Sequence, residues 1–441
     1  MELKRHKDII AFRSDDGSIV AYHGRNLEVA EITPEAFAEM SGITLKMGEI
    51  PEPTQPKDQD NYSDAYTQLE IWNNDENFEG RLGQINFGIR SVTINITQIC
   101  NLKCHYCAAG GDGTYGDPVA KISIEKTLPQ LKFYIDQLKE NQKFTISFVG
   151  GEPLLYPEAL KSIYDYVLEL TKIKNFKPVF SLTTNATLIT DPVREILRSM
   201  KIHITVSLDG DAKTNDIARP TKDGSSSTAL TVQGLKQLAI IHDDIGSFGI
   251  SAVSTNENSD ILNTYAFFKT FNTDWYEFNF SYTEKSQSAQ DDYLKQMNQL
   301  AKIAFADGGE SELRKIKTFD LYFKLLDDQQ RIENHCGAGK SYLMIDARNQ
   351  VYTCPWVVGE KSEIVGSGTQ LDHEKLAKYQ KPLIELNNCQ TCWAKYLCGG
   401  GCMFIHRAHT GDKHTKNNLF CERTRGLILI VLLYYKLSRE S

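Results

Sequence analysis

The stretch Ile99-Cys100-Asn101-Leu102-Lys103-Cys104-His105-Tyr106-Cys107 places three cysteines in the spacing C-x3-C-x2-C. It follows directly on Ser91–Thr97, an alternating run that reads as a β-strand. Three thiolates on one short loop can wrap three corners of a cubane iron–sulfur cluster. The fourth iron then has no protein ligand and stays open to a small molecule. The competing reading is zinc with a distant fourth ligand. Zinc sites favour CxxC pairs, and this spacing behind a strand is unusual for them.

Outward from that loop, strand and helix patterns alternate. After Ser91–Thr97 the expected strands are Phe144–Val149, Val179–Thr184, Ile202–Leu208, Phe248–Ser254 and Tyr276–Tyr282. Helical periodicity lies near 123–140, 157–171, 190–200, 228–243, 258–270 and 289–305. Such alternation predicts an α/β fold of parallel strands with right-handed crossovers, as an open barrel or a large sheet. In barrels of this type the chemistry sits at the C-terminal strand ends. Before residue 86, Asp8–Arg13, Ser18–His23 and Leu27–Ile32 read as short strands, with a hairpin turn at Asp16-Gly17. Thr33-Pro34-Glu35 caps a short helix, Pro51–Asp64 reads as a loop, and a second helix spans Ala65–Trp72. Beyond about 311 the alternation fades into a loop-rich region.

The 441 residues suggest about three domains: 1–85, 86–310 and 311–441. With 41% hydrophobic and 24% charged residues, the composition is that of a globular protein with ample core. The net charge of -8 is spread along the chain, and no Lys/Arg block points to nucleic acid or an anionic membrane. The N-terminus lacks the apolar segment of a signal peptide. The apolar run Leu427–Tyr435 is too short to span a bilayer, which takes about 20 residues, and reads as a buried helix. A cytoplasmic location is expected.

All ten cysteines fall into two groups. The second comprises Cys336, Cys354, Cys389, Cys392, Cys398, Cys402 and Cys421, with the core spacing C-x2-C-x5-C-x3-C from Cys389 to Cys402. Clustered cysteines in an intracellular chain indicate metal rather than disulfides. Structural zinc would use four thiolates and orphan three.

The first group, with the aromatic Tyr106 before its last cysteine, resembles the radical S-adenosylmethionine (SAM) superfamily. The resemblance implies a partial (β/α)6 barrel whose [4Fe–4S] cluster at Cys100, Cys104 and Cys107 cleaves SAM to a 5′-deoxyadenosyl radical. Tyr106 would pack near the adenine. Gly150-Gly151-Glu152-Pro153, at the end of the second strand, resembles the segment that binds the SAM amino group. Its glycines permit close backbone approach, and Glu152 can accept from an ammonium. Thr184 and Asn185 resemble ribose-side contacts, and Ser207 a further SAM contact. Arg219 is either a bidentate partner of the SAM carboxylate or a surface arginine. Asp209 is either a turn residue or a substrate-facing catalytic group.

The second group resembles the SPASM domain, which carries auxiliary clusters. The resemblance implies one [4Fe–4S] cluster at Cys389, Cys392, Cys398 and Cys421, and another at Cys336, Cys354 and Cys402. The three clusters then account for every cysteine. The third has a corner without a thiolate, because Ser341 and Tyr342 stand where sulfatase-modifying members carry a further cysteine. His335 is either a ligand there or a surface histidine. Asn349 replaces the family's glycine, and Asn also tolerates the left-handed conformation. The first domain resembles the winged-helix-like leader-recognition element of ribosomal peptide (RiPP) maturases, which bind peptide as an added strand. Together these describe a radical SAM/SPASM peptide maturase, most like the streptide-type lysine–tryptophan cyclases. Alternatives are a thioether-forming (sactipeptide or ranthipeptide) maturase, an anaerobic sulfatase-maturing enzyme, or a non-catalytic peptide-binding or Fe–S electron-transfer protein. The implied partners are a precursor peptide with its leader and a reductant such as flavodoxin or ferredoxin.

Overall fold

The computed structural model describes residues 2–14, 17–44, 50–53, 55, 62–75, 88–107, 121–256 and 258–440. Asp16 of the expected hairpin turn, and residues 54 and 56–61 of the expected loop, lie outside them. The chain divides into two compact units. One comprises Met1–Gln84, Lys285–His335 and Lys381–Ser441; the other comprises Ile85–Glu284 and Cys336–Gln380.

In the first unit, β1 (Glu2–His6), β2 (Ile9–Arg13), β3 (Ile19–His23), β4 (Glu28–Glu31) and β5 (Ser41–Thr44) form an antiparallel sheet in the order β4-β3-β2-β1-β5. Strands β2 to β4 match the sequence reading; β1 and β5 are additional. β1 carries no apolar alternation to mark it, because its buried residues include Arg5 and His6, on opposite faces of the strand. Gly17, at φ +89°, donates to the Ser14 carbonyl at 3.1 Å and turns β2 into β3. Thr33 caps the helix Pro34–Glu39 through Ala36 N, and Ser63 caps Asp64–Asn73 through Tyr66 N. Phe37, Met40 and Leu69 from these helices pack on Ile9, Ala11, Ile19 and Ala21 of the sheet.

The apolar run near the C-terminus lies within the helix Asn418–Glu440, where Ile428, Leu429, Val431 and Leu432 are fully buried. No helix of the described residues is long and apolar enough to cross a membrane. The far end of this helix is pinned by charge. Arg439 and Arg314 both bond Glu310 and Asp327, at 2.5–2.6 Å for the shortest contact of each pair.

In the second unit, β6 (Ser91–Asn95), β7 (Lys143–Val149), β8 (Lys177–Thr184), β9 (Ile202–Ser207), β10 (Ser247–Ser254) and β11 (Trp275–Phe280) pair in sequence order, all parallel. Helices Ile124–Asp136, Pro157–Ile173, Asp191–Arg198, Ser227–Ile240 and Ile261–Phe268 lie between them. This is the expected six-unit α/β architecture. The sheet then continues past β6 with a parallel β12 (Tyr342–Ile345) and an antiparallel run of β13 (Gln350–Tyr352), β14 (Gly366–Ser367) and β15 (Gln370–Leu371). Residues 336–380 therefore pack with residues 85–284, while 381–441 pack with the N-terminal sheet. Asn349 adopts φ +63° between β12 and β13, so the turn survives without glycine, and its side-chain amide donates to Thr127 Oγ1 at 2.8 Å.

Burial alternates along most of the strands from β7 to β11, whereas Val92–Asn95 of β6 are all buried. Phe144, Ile146, Phe148, Phe180, Leu182, Ile204 and Ile250 are buried on one face. The half-buried opposite face is mostly polar, with Ser147, Ser181, Thr205, Ser207, Ser251 and Glu277 beside Val149, Val179, Val253 and Trp275. A closed barrel fills its interior with branched apolar side chains; this face is left mostly polar and open.

Burial alone would raise the Glu310 and Asp327 carboxyls, but hydrogen bonds from Arg439 and Arg314 outweigh it and hold both below the usual range. Depressed carboxyls stabilise the fold above their unfolded values, near 4, and lose that contribution as pH falls. Glu310→Gln should therefore cost about 0.5–1 kcal/mol at neutral pH and low salt, given the partial exposure of the pair. Urea titrations at about pH 7 and pH 4 should show that cost shrinking at the lower pH.

Candidate active site

The cysteine loop is positioned by main-chain contacts from two directions. From one side, Gly151 N donates to Thr97 O and Glu152 N to Ile99 O, each at 2.8 Å. A Cβ on Gly151 would lie 2.1 Å from Ile99 O, and one on Gly150 would lie 2.5 Å from Thr97 O. Gly150 also sits at φ +148°, a conformation that favours glycine. The two glycines thus let the turn after β7 seat directly on the segment entering Cys100. From the other side, Lys103 N donates to Pro220 O at 2.8 Å and His105 N to Ala218 O at 3.0 Å. The residues around Arg219 therefore run alongside the loop as an added ribbon.

Cys100 is buried, Cys104 half-buried and Cys107 exposed. Burial pushes the Cys100 thiol up to about 12, and Glu152, Cys104 and Cys107 push in the same direction. Burial also raises Cys104, with the Arg219 charge opposing it. The three sulfurs thus lie within electrostatic reach of one another. A donor set made only of thiols, graded from buried Cys100 to exposed Cys107 and deprotonated on metal binding, fits an iron–sulfur cluster. In the first unit Cys389, Cys392, Cys398 and Cys421 are gathered in the same way; burial and the neighbouring sulfurs raise Cys398, and Cys389 to about 11. Cys336 and Cys354, in the second unit, both lie within electrostatic reach of Tyr342. Cys402 belongs to the first unit. His335 is exposed, and its Nδ1 lies 3.1 Å from the Cys398 carbonyl, to which it can donate. Among the described residues, no three His, Cys, Asp or Glu side chains converge as they would on a single metal ion.

Glu152 is largely engaged within the protein. Its Oε1 accepts from Leu154 N at 2.9 Å and Thr184 Oγ1 at 2.7 Å, and its Oε2 accepts from Asn185 N at 2.8 Å. Burial raises its carboxyl; these three bonds and the Arg219 charge counter that rise. It pins the end of β7 to the end of β8, with about one acceptor position left of four. Asn185 reaches back to the cysteine loop, donating to Asn101 Oδ1 at 2.9 Å and lying 3.9 Å from Cys100 Sγ.

Arg219 is not a surface arginine: it is 9% exposed. Its Nη1 donates to the Tyr106 hydroxyl at 2.7 Å, and that hydroxyl donates to Asp209 Oδ2. Asp209, fully buried, accepts from Val253 N at 2.9 Å through Oδ1. Tyr106, Asp209 and Arg219 thus tie the cysteine loop to the ends of β9 and β10. Ser207 stands half-buried at the end of β9.

Sequence reasoning missed Glu277, which accepts from Ser251 Oγ at 2.8 Å on the polar strand face. It is the one carboxylate that the six strands carry on that face among the described residues. Its signal was a lone charge inside Trp275–Phe280, an otherwise apolar and aromatic run broken only by Asn279. Also missed were Tyr282, within electrostatic reach of Cys107, and Trp356, stacked on Tyr282 at 6.5 Å.

Residues 94–267 match the family model of the Radical SAM superfamily, which implies S-adenosylmethionine (AdoMet) and a [4Fe–4S] cluster. The protein is an enzyme of radical mechanism. The chain is 27% identical over 332 residues to mycofactocin maturase MftC of Mycolicibacterium smegmatis, covering 71% of this chain and 77% of the relative. Its fold is similar to that of anSMEcpe with bound AdoMet and the Cp18Cys peptide, with a TM-score of 0.64 and 21% identity over 79% of this chain and 99% of that one. It is also similar to Streptococcus suis SuiB bound to precursor peptide SuiA, with a TM-score of 0.52 and 16% identity over 95% and 99% of the two chains.

Gly151→Ala forces a methyl group into the backbone at Ile99 and should displace the cysteine loop. The expected result is about four fewer irons per chain than in the unaltered protein. Iron analysis after anaerobic reconstitution checks this.

Proposed function

We propose that this enzyme is a radical SAM/SPASM peptide maturase that closes an intramolecular crosslink in a ribosomally made precursor, with a lysine–tryptophan carbon–carbon bond as the leading product. Residues 1–85 take the role of a winged-helix-like leader-recognition domain, 86–310 the radical SAM barrel, and 311–441 the auxiliary-cluster domain. The observation that carries this reading is the open polar strand face in the unit that holds the cysteine triad, bearing a single carboxylate, Glu277. A small substrate would call for a closed apolar pocket; a peptide needs an open channel with polar contacts. The N-terminal sheet supports the reading because it ends in edge strands, β4 and β5, of the kind that accept an added peptide strand. The names of the relatives support it too: MftC is a maturase, and SuiB is bound to a precursor peptide.

Cys100, Cys104 and Cys107 would hold the radical cluster, Cys389, Cys392, Cys398 and Cys421 a second, and Cys336, Cys354 and Cys402 a third. When bound, these groups and AdoMet supply a 5′-deoxyadenosyl radical and an acceptor for one electron. The protein orients the reactants and handles the proton. Gly150, Gly151, Glu152, Thr184, Asn185 and Ser207 frame the AdoMet side of the site. Tyr106, Asp209 and Arg219 fix the loop, so Asp209 acts as a brace and not as a substrate-facing base. Joining two residues removes two hydrogens from the peptide, one of them as a proton. Glu277 accepts that proton.

The test is anaerobic incubation of the reduced, reconstituted enzyme with AdoMet and the short peptide encoded beside its gene. The expected result is 5′-deoxyadenosine and a peptide lighter by two hydrogens, with no fragmentation between the joined residues. Absence of 5′-deoxyadenosine sinks the reading; a formylglycine in the peptide favours the sulfatase-maturing alternative. Glu277→Gln should retain AdoMet cleavage and lower crosslink formation by about 10²-fold or more, the usual scale of general-base catalysis.

A further inference from the structure

The four thiols Cys389, Cys392, Cys398 and Cys421 share their unit with the N-terminal sheet, which meets their segment beside Cys392. Gly24, at the end of β3, lies so close to Trp393 that an added Cβ would sit 2.5 Å from the Trp393 carbonyl oxygen. Tyr22 of β3 meets the Trp393 ring edge-on, with centroids 6.2 Å apart. Trp393 directly follows Cys392. Both aromatic residues are buried, Tyr22 completely and Trp393 to within 2%. Among the described residues, neither the Tyr22 hydroxyl nor the Trp393 indole N–H has a hydrogen-bond partner. Buried donors are rarely left unpaired, because each forfeits its bonds to water. Trp393 is the chain neighbour of Cys392, and Tyr22 and Arg5 are each within electrostatic reach of Cys392.

We propose that the N-terminal sheet tunes the auxiliary cluster held by Cys389, Cys392, Cys398 and Cys421, with the Tyr22 hydroxyl and the Trp393 N–H donating hydrogen bonds to its sulfur atoms. Hydrogen bonds to cluster sulfur stabilise the more negative, reduced state and raise the reduction potential. The domain read as the peptide-binding module thereby also sets how readily this cluster takes an electron. The inference rests on the reading of these four cysteines as cluster ligands.

The experiment uses the full chain with Cys100, Cys104 and Cys107 replaced by Ala, so that only auxiliary clusters report. Redox titration followed by electron paramagnetic resonance gives their midpoint potentials. Tyr22→Phe keeps the ring, Trp393→Phe keeps a smaller aromatic ring, and each removes one donor. Each should make one cluster harder to reduce by about tenfold, equivalent to about 59 mV for one electron, at unchanged iron content. Unchanged midpoints in both variants would overturn the proposal. Iron analysis of Cys389→Ala separates the two claims. Loss of about four irons confirms the cluster on which the tuning acts, and no loss overturns the cluster reading and the tuning with it.

Discussion

Everything around the cysteine triad depends on one main-chain contact, the seating of the Gly150-Gly151 turn on Thr97–Ile99. A loop carrying three cysteines close together has little apolar surface of its own to bury. It cannot hold its shape by packing, so it borrows rigidity from strand ends that are already fixed. The two 2.8 Å bonds from Gly151 and Glu152 anchor its entry. The antiparallel bonds from Lys103 and His105 to the 218–220 segment anchor its middle. Sulfur positions are then set by backbone geometry, and tolerate side-chain variation elsewhere in the barrel.

Around that backbone frame the protein buries three charged groups, Glu152, Asp209 and Arg219. Buried charge is expensive unless it is paired and hydrogen-bonded. Glu152 meets the condition with three donors, and Asp209 with the Tyr106 hydroxyl and the Val253 amide. Each joins elements that the chain sequence separates: β7 to β8 in the first case, the cysteine loop to β9 and β10 in the second. Polar pins of this sort are directional where apolar packing is not, so they fix the strand ends against one another at the place where reacting atoms must be held.

The cysteine loop, the six parallel strands and the C-terminal apolar helix were all legible in the sequence, because each follows a short-range pattern of spacing or periodicity. Strand β12 was not. Its four residues, Tyr342–Ile345, become a strand only because β6 presents an unpaired edge some 250 residues earlier in the chain. β1 was hidden by charged residues whose burial depends on tertiary partners. Within the site the glycines of Gly150-Gly151 were recognisable as permitting close approach, but what approaches is the cysteine loop's own backbone. Glu152 looked like a group free to bind an ammonium, whereas its oxygens are already taken by Thr184, Asn185 and Leu154. Hydrogen bonds across long stretches of sequence leave no local signature, and so Glu277 and the Tyr106–Asp209–Arg219 brace emerged only in three dimensions.

The first unit is assembled from the beginning, a middle segment and the end of the chain. During synthesis, the N-terminal sheet emerges long before the helix Asn418–Glu440 that completes its surroundings. Its second face, bearing Phe12, Val20 and Tyr22, waits through the translation of the whole six-stranded region. Parallel strands joined in sequence order can fold progressively as they appear. The order of birth and the order of closure are thus opposed. The sheet is closed by the stretch that carries Cys389, Cys392, Cys398 and Cys421, so completing that unit and gathering its four thiols are one event.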